Sequence, residues 1–130
     1  MLPFSIELRP GLPLAEQVVF AVKKAVVSGQ LQVGDKFPSV RQLSQELRIN
    51  PNTAHKVVAA LVSENVLIST PAVGTIVAAP VAGSRRERSA LLGAELERII
   101  VEAKKFGFSL ADVQAAVTDH WRKLSEPSKS

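Results

Sequence analysis

The sequence predicts a mainly α fold with a small β-hairpin wing: a winged helix-turn-helix followed by a C-terminal α-helical hairpin. Three observations carry that expectation. Residues 35–58, DKFPSVRQLSQELRINPNTAHKVV, read as two short helices around a tight turn. Two β-rich arms follow directly, Val66-Leu67-Ile68 and Thr75-Ile76-Val77, around Ser69–Gly74. The last third of the chain then carries two apolar stripes at helical spacing.

At the N-terminus Phe4, Ile6 and Leu8 alternate with Ser5 and Glu7, the period of a short strand. Pro10, Gly11 and Pro13 break it. From Leu14 to Ser28 the residues Leu14, Val18, Val22, Ala25 and Val26 keep helical spacing, and Gly29 stops the helix. Its β-branched residues are mediocre helix formers, so packing has to hold this helix together. Gln30–Lys36 is a connecting turn with Gly34-Asp35.

The first motif helix has Ser39 as N-cap, with Gln42 three residues on to complete a capping box. Leu43 and Leu47, four apart, give it a buried face. The second helix has Asn50 as N-cap and Pro51 at the first helical position, where a missing N–H costs nothing. Asn52, Thr53, His55 and Lys56 are its polar, outward residues; Val57, Val58 and Leu61 face inward. Asn65 can take the left-handed conformation that ends it. This winged domain is expected to span residues 1–79 and a linker, PVAGSRRERS, residues 80–89.

Residues 90–125 form the second region. Leu92, Leu96, Ile99, Ile100 and Ala103 make one stripe, ended by Gly107 between Phe106 and Phe108. Ser109 caps the next helix with Asp112 three residues on, and Leu110, Val113, Val117, Trp121 and Leu124 make the second stripe. Residues 126–130 are expected to fray. Two stripes in about 40 residues need another surface to cover them, and a second copy of the same pair is the simplest. Leu92, Leu96, Ile99, Ile100, Val113, Val117 and Trp121 are therefore the expected homodimer contacts. Folding back onto the winged domain is the alternative, and Trp121 in a ligand pocket is a lesser one.

Composition bounds the function. With 46% hydrophobic residues the chain can bury a core, and a net charge of +4 with a pI near 9.8 permits a polyanionic partner. No cysteine is present, which excludes disulfides, thiol catalysis and thiolate-bound zinc and fits a reducing cytoplasm. No apolar run approaches the roughly 20 residues of a membrane span. His55 and His120 are the only histidines, and no HExxH, GxxxxGK[ST] or GxSxG occurs. The expectation is a soluble, cytoplasmic protein that is not an enzyme, without metal or cofactor.

The stretch 36–79 resembles the GntR family of bacterial transcription regulators. The likeness rests on PSxRxLS, the NxNT turn into the second helix and the closing GTxV, within KFPSVRQLSQELRINPNTAHKVVAALVSENVLISTPAVGTIV. PLAEQVVFAVKKAVVSGQLQVG also looks like the family's first helix and exit turn. The short C-terminal region, with EAKKFGFSLADV, is similar to the YtrA-like subfamily, whose C-terminal helices serve dimerisation.

What the resemblance implies is double-stranded DNA as partner. Arg41 resembles the family's base-reading arginine, whose guanidinium can grip guanine O6 and N7 bidentately; a surface ion pair with Glu46 or Asp35 is the alternative. Ser39 can donate to a phosphate as well as cap. Asn50, Asn52 and Thr53 sit where helix N–H groups favour a phosphate; Asn52 can instead read adenine, and Asn50 is the better structural cap. Lys56 is expected on phosphate, and His55 on a base or phosphate, or simply exposed. The wing tip Thr70-Pro71-Ala72-Val73-Gly74 has no charge, which departs from the family's frequent basic tip and argues against an arginine in the minor groove. Backbone N–H groups near Gly74 and the Thr75 hydroxyl remain for a phosphate. Arg85, Arg86 and Arg88 read either as a solvated linker or as an extra contact to flanking DNA.

The resulting expectation is a dimeric, sequence-specific repressor reading a two-fold operator, with a small-molecule effector that no motif identifies. The competing expectation is a winged-helix protein-interaction module, which calls for an apolar or acidic face where Asn52, Thr53, His55 and Lys56 stand.

Overall fold

A computed structural model describes residues 2–125, in two compact units: one over the residues up to Pro80 together with Leu124 and Ser125, and a second over Val81–Lys123. In the first, α1 (Leu14–Val27), α2 (Val40–Leu47) and α3 (Pro51–Ser63) precede a hairpin of β1 (Leu67–Thr70) and β2 (Gly74–Val77). The strands pair antiparallel with Leu67 opposite Val77 and Thr70 opposite Gly74. Lys36 bridges Ile76 on the other edge of β2, and the Phe37 amide donates to the Thr75 carbonyl at 2.8 Å. The wing is thereby rooted in the segment that leads into α2.

One core serves all of these elements. Val18, Val22 and Ala25 of α1, Leu43 of α2, Ala54, Val57 and Leu61 of α3, and Leu67 and Val77 of the hairpin are buried together with Phe4, Leu31, Phe37 and Ile49. Each fully buried Leu or Val contributes about 1.5–3 kcal/mol over its exposed state. This is the packing that the β-branched α1 required.

The N-terminal alternation misleads: residues 4–8 form no strand. Segment 34–37 already bonds the outer edge of β2 through Gly34 and Phe37 amides and the Asp35 carbonyl, so that edge is taken. Phe4 is instead buried by stacking on Phe37, with ring centroids 5.9 Å apart and planes 4° from parallel.

Local caps set the helix limits. The Ser39 hydroxyl accepts the Gln42 amide at 3.1 Å, but the return half of the expected box is replaced: Gln42 Nε2 donates to Glu46 Oε2 at 3.2 Å. Asn50 Oδ1 accepts the Asn52 amide at 2.8 Å. Asn65 is left-handed at φ 62°, and the Asn65 and Val66 amides close α3 onto the Val62 and Leu61 carbonyls.

In the second unit α4 (Arg85–Ala90) runs through a π-helical turn (Leu91–Glu95) into α5 (Leu96–Lys105), and α6 (Leu110–Ser125) follows. Residues 80–89, expected as linker, are helical from Arg85 onward. Ser84 and Glu87 make a reciprocal capping box there, the Ser84 hydroxyl accepting the Glu87 amide and the Glu87 carboxylate accepting the Ser84 amide. Gly107, at φ 82°, ends α5 by letting the Phe108 and Gly107 amides reach the Ala103 and Lys104 carbonyls. Ser109 and Asp112 cap α6 reciprocally, at 3.1 and 2.9 Å. The Ser109 amide, then its hydroxyl, holds the Asp112 carboxyl below its ordinary pKa. The expected fraying of 126–130 lies outside the described residues.

No residue of this second unit is buried. Leu92, Ile99, Ile100, Val117 and Trp121 are exposed, Trp121 to 74%, while Leu96 and Val113 are half-buried. No helix among the described residues is long and apolar enough to cross a membrane, and no cluster of potential metal ligands occurs among them.

Candidate nucleic-acid interface

The helix α3 has two faces set by its 3.6-residue period. Ala54, Val57 and Leu61 are fully buried. Asn52, His55, Lys56 and Ala59 lie within about 100° of one another on the opposite side, at about 100° per residue, and all four are exposed. Thr53 sits between the faces and is half-buried. The buried side anchors the helix rigidly, so its polar side is presented to solvent in one orientation.

The turn before α3 is tight because Arg48 adopts φ 55°, ψ 46°, the left-handed region. Its amide and that of Ile49 both close onto the Ser44 carbonyl, and Ile49 then plugs the core. Nothing in the residue type announces this, since glycine or asparagine is the usual occupant. The exposed guanidinium of Arg48 thereby stands two residues before the Asn50 cap, a cation outside the set expected from sequence.

Arg41 is exposed on the first turn of α2. Among the described residues no ion pair is made by Arg41, Arg48 or Lys56, and the expected alternatives for Arg41 are otherwise engaged. Asp35 Oδ2 accepts the Gln32 amide at 2.8 Å, and Glu46 accepts from Gln42. Ser44 Oγ donates to the Arg41 carbonyl at 3.0 Å from a nearly buried position, which pins the backbone under the guanidinium.

The α3 N-terminus offers less to an anion than its sequence suggested. Pro51 has no N–H, and the Asn52 amide is taken by Asn50 Oδ1, so Thr53 supplies the remaining first-turn amide. Ser39 Oγ spends its acceptor on Gln42, and its proton stays available for donation. Lys56 stands at the rim of a groove between α1 and α3, of about 400 Å³, with Ala15, Glu16, Val19 and Ala60. Across that groove Lys23 pairs with Glu64. At the wing, Gly74 (φ 101°) is exposed and Thr75 half-buried, and the tip carries a left-handed Ala72 and an exposed Val73 in place of any charge.

The helix-turn-helix thus brings Arg41, Asn52, His55 and Lys56 onto its solvent side, with Ser39 and Asn50 acting as caps. Gly74 and Thr75 belong to a separate strand, at the wing.

A family profile described as "Bacterial regulatory proteins, gntR family" matches residues 14–77, the span from α1 to the end of β2. The chain is 28% identical over 106 residues to the HTH-type transcriptional repressor YtrA of Bacillus subtilis (strain 168). That match covers 81% of this chain and 82% of that protein. The crystal structure of a transcriptional antiterminator from Listeria monocytogenes EGD-e superposes with a TM-score of 0.82 at 25% identity. It covers 98% of this chain and 97% of the other. YtrA from Sulfolobus acidocaldarius, a GntR-family transcription factor, superposes with a TM-score of 0.58 at 26% identity, over 72% of this chain and 96% of its own. Core, turn and wing therefore belong together as the winged helix-turn-helix of the GntR family, and this chain is a DNA-binding transcription regulator of YtrA-like type.

Proposed function

We propose that the chain is a homodimeric repressor whose α3 enters the major groove of a two-fold operator. The carrying observation is the exposed Asn52-His55-Lys56 face of α3, held opposite a fully buried one, with an exposed Arg41 on the neighbouring α2. Arg41 reads guanine through two parallel hydrogen bonds. Asn52 reads adenine, and His55 donates to a base or phosphate. Lys56, Ser39, the Thr53 amide and hydroxyl, the Gly74 amide and Thr75 meet phosphates. Asn50 acts as the cap that holds Asn52 in place. Repression is supported by the likeness to the Bacillus repressor.

Dimerisation runs through the π-helical turn, α5 and α6, where Leu92, Leu96, Ile99, Ile100, Val113, Val117 and Trp121 meet the same residues of a second copy. The two α3 helices then address half-sites about 34 Å apart, one helical turn of DNA. A small effector acting on the dimer helices would tune this contact.

The test is fluorescence anisotropy with labelled DNA from upstream of the chain's own gene, against a scrambled duplex, across a salt series. A preference that persists as salt rises supports the regulator reading. Equal binding that collapses with salt reduces it to a basic surface attracting phosphate, and no binding to either duplex favours the protein-interaction alternative.

A further inference from the structure

From Asn65 to Ala94 the chain has four charged side chains, all within Arg85-Arg86-Glu87-Arg88. The wing tip inside this stretch is uncharged, so the first cations after the recognition helix are these three arginines. Arg85 and Arg86 open α4, where the positive end of the helix dipole makes cations unfavourable, and Arg88 follows at its fourth position. Glu87 offsets one of the three charges but makes no ion pair with them, its carboxylate accepting instead from the Ser84 amide in the capping box. Among the described residues none of the three forms an ion pair, and all are exposed. At about 100° per residue, Arg85, Arg86 and Arg88 share one half of the helix circumference while Glu87 points away. A fixed, one-sided cationic face at a position that costs the helix stability is what a polyanion outside the chain would compensate.

We infer that Arg85, Arg86 and Arg88 form a second phosphate clamp that grips the DNA backbone flanking each half-site, in place of the missing wing cation. This rests on the DNA-binding reading above. Val77 ends the wing strand and Arg85 follows eight residues later, a tether of at most about 28 Å. That reach spans several phosphates of a strand and limits the contact to DNA beside the half-site. The arginines add affinity and salt dependence without reading sequence.

The triple variant Arg85→Gln, Arg86→Gln, Arg88→Gln keeps the cap and a similar helix propensity. Full-length wild type and variant are titrated by anisotropy across a salt series on two duplexes. One is the shortest upstream duplex that retains sequence preference, and the other carries about one further helical turn on each side. The inference expects the log–log salt slope on the longer duplex to become shallower by about 0.9 for each phosphate that the variant no longer neutralises. On the trimmed duplex the two proteins should bind alike. Equal slopes on the longer duplex, with the wild type still preferring its operator over scrambled DNA, overturn the clamp and leave the regulator reading standing. A wild type without sequence preference overturns both. A variant whose sedimentation shows a changed oligomeric state overturns the clamp by placing the arginines in the subunit interface.

Discussion

The two units of this chain solve the same problem, covering apolar side chains, in opposite ways. Up to Pro80, three helices and a hairpin enclose thirteen buried apolar residues among themselves. From Val81 to Lys123 the helices are also capped, at Ser84 and Ser109, yet no residue there is fully buried. Caps and periodicity make helices; only a facing surface makes a core. Hence the first unit holds a core of its own, whereas the second leaves Leu92, Ile99, Phe106 and Leu110 exposed, the surface that the proposed dimer would cover.

Removing residues 90–130 presses hardest on that contrast. The expected product is a folded monomer, with operator affinity reduced by about 10²–10⁴-fold through loss of avidity. Sedimentation and anisotropy read both effects, and a truncated chain that stayed dimeric would place the interface in the winged domain.

Next come matched substitutions in the two units. Leu61→Ala, in the core, should cost about 2–5 kcal/mol at any protein concentration. Trp121→Ala should lower the melting temperature only at concentrations where subunits associate. A concentration-independent loss for Trp121 would erase the distinction between the units.

Function and stability separate at Arg41. Arg41→Ala should cost about 1–3 kcal/mol of operator discrimination and leave the thermal transition unmoved, because the exposed guanidinium holds nothing in the fold. Unchanged discrimination would remove Arg41 from the reading surface.

Two smaller effects sharpen the local picture. Arg48→Gly relieves a left-handed backbone and should stabilise the first unit by about 1 kcal/mol, measured by urea unfolding. In the second unit, Asp112 has a lowered pKa in the folded state. Its contribution to α6 is therefore present above the unfolded pKa and lost as pH falls through the folded one. Helicity of wild type and Asp112→Asn, followed by circular dichroism, should differ near neutrality and converge below the ordinary aspartate range.

Much of this was legible in the sequence for local reasons. Ser39, Asn50, Pro51, Asn65, Gly107 and Ser109 mark helix ends because each satisfies or omits a particular backbone group, and the structure uses every one of them so. The polar face of α3 was legible because its period separates Asn52, His55 and Lys56 from Ala54, Val57 and Leu61. The Ser84–Glu87 box was also written in the chain and hidden by the apparent linker composition around it. Residues 4–8 misled because alternation reports two faces without reporting whether a strand edge is available. Arg48 escaped because its left-handed turn is imposed by closure onto Ser44 and by burial of Ile49.

By itself, then, the sequence determined the helices other than α4, most of their caps, the hairpin and the polar face of α3, since each depends on neighbours within a turn or two. Tertiary structure alone decided that Phe4 stacks on Phe37, that Lys36 roots the wing through Ile76, and that Arg48 bends left-handed. These depend on which distant segment occupies a given edge or cavity, and no local pattern encodes that competition.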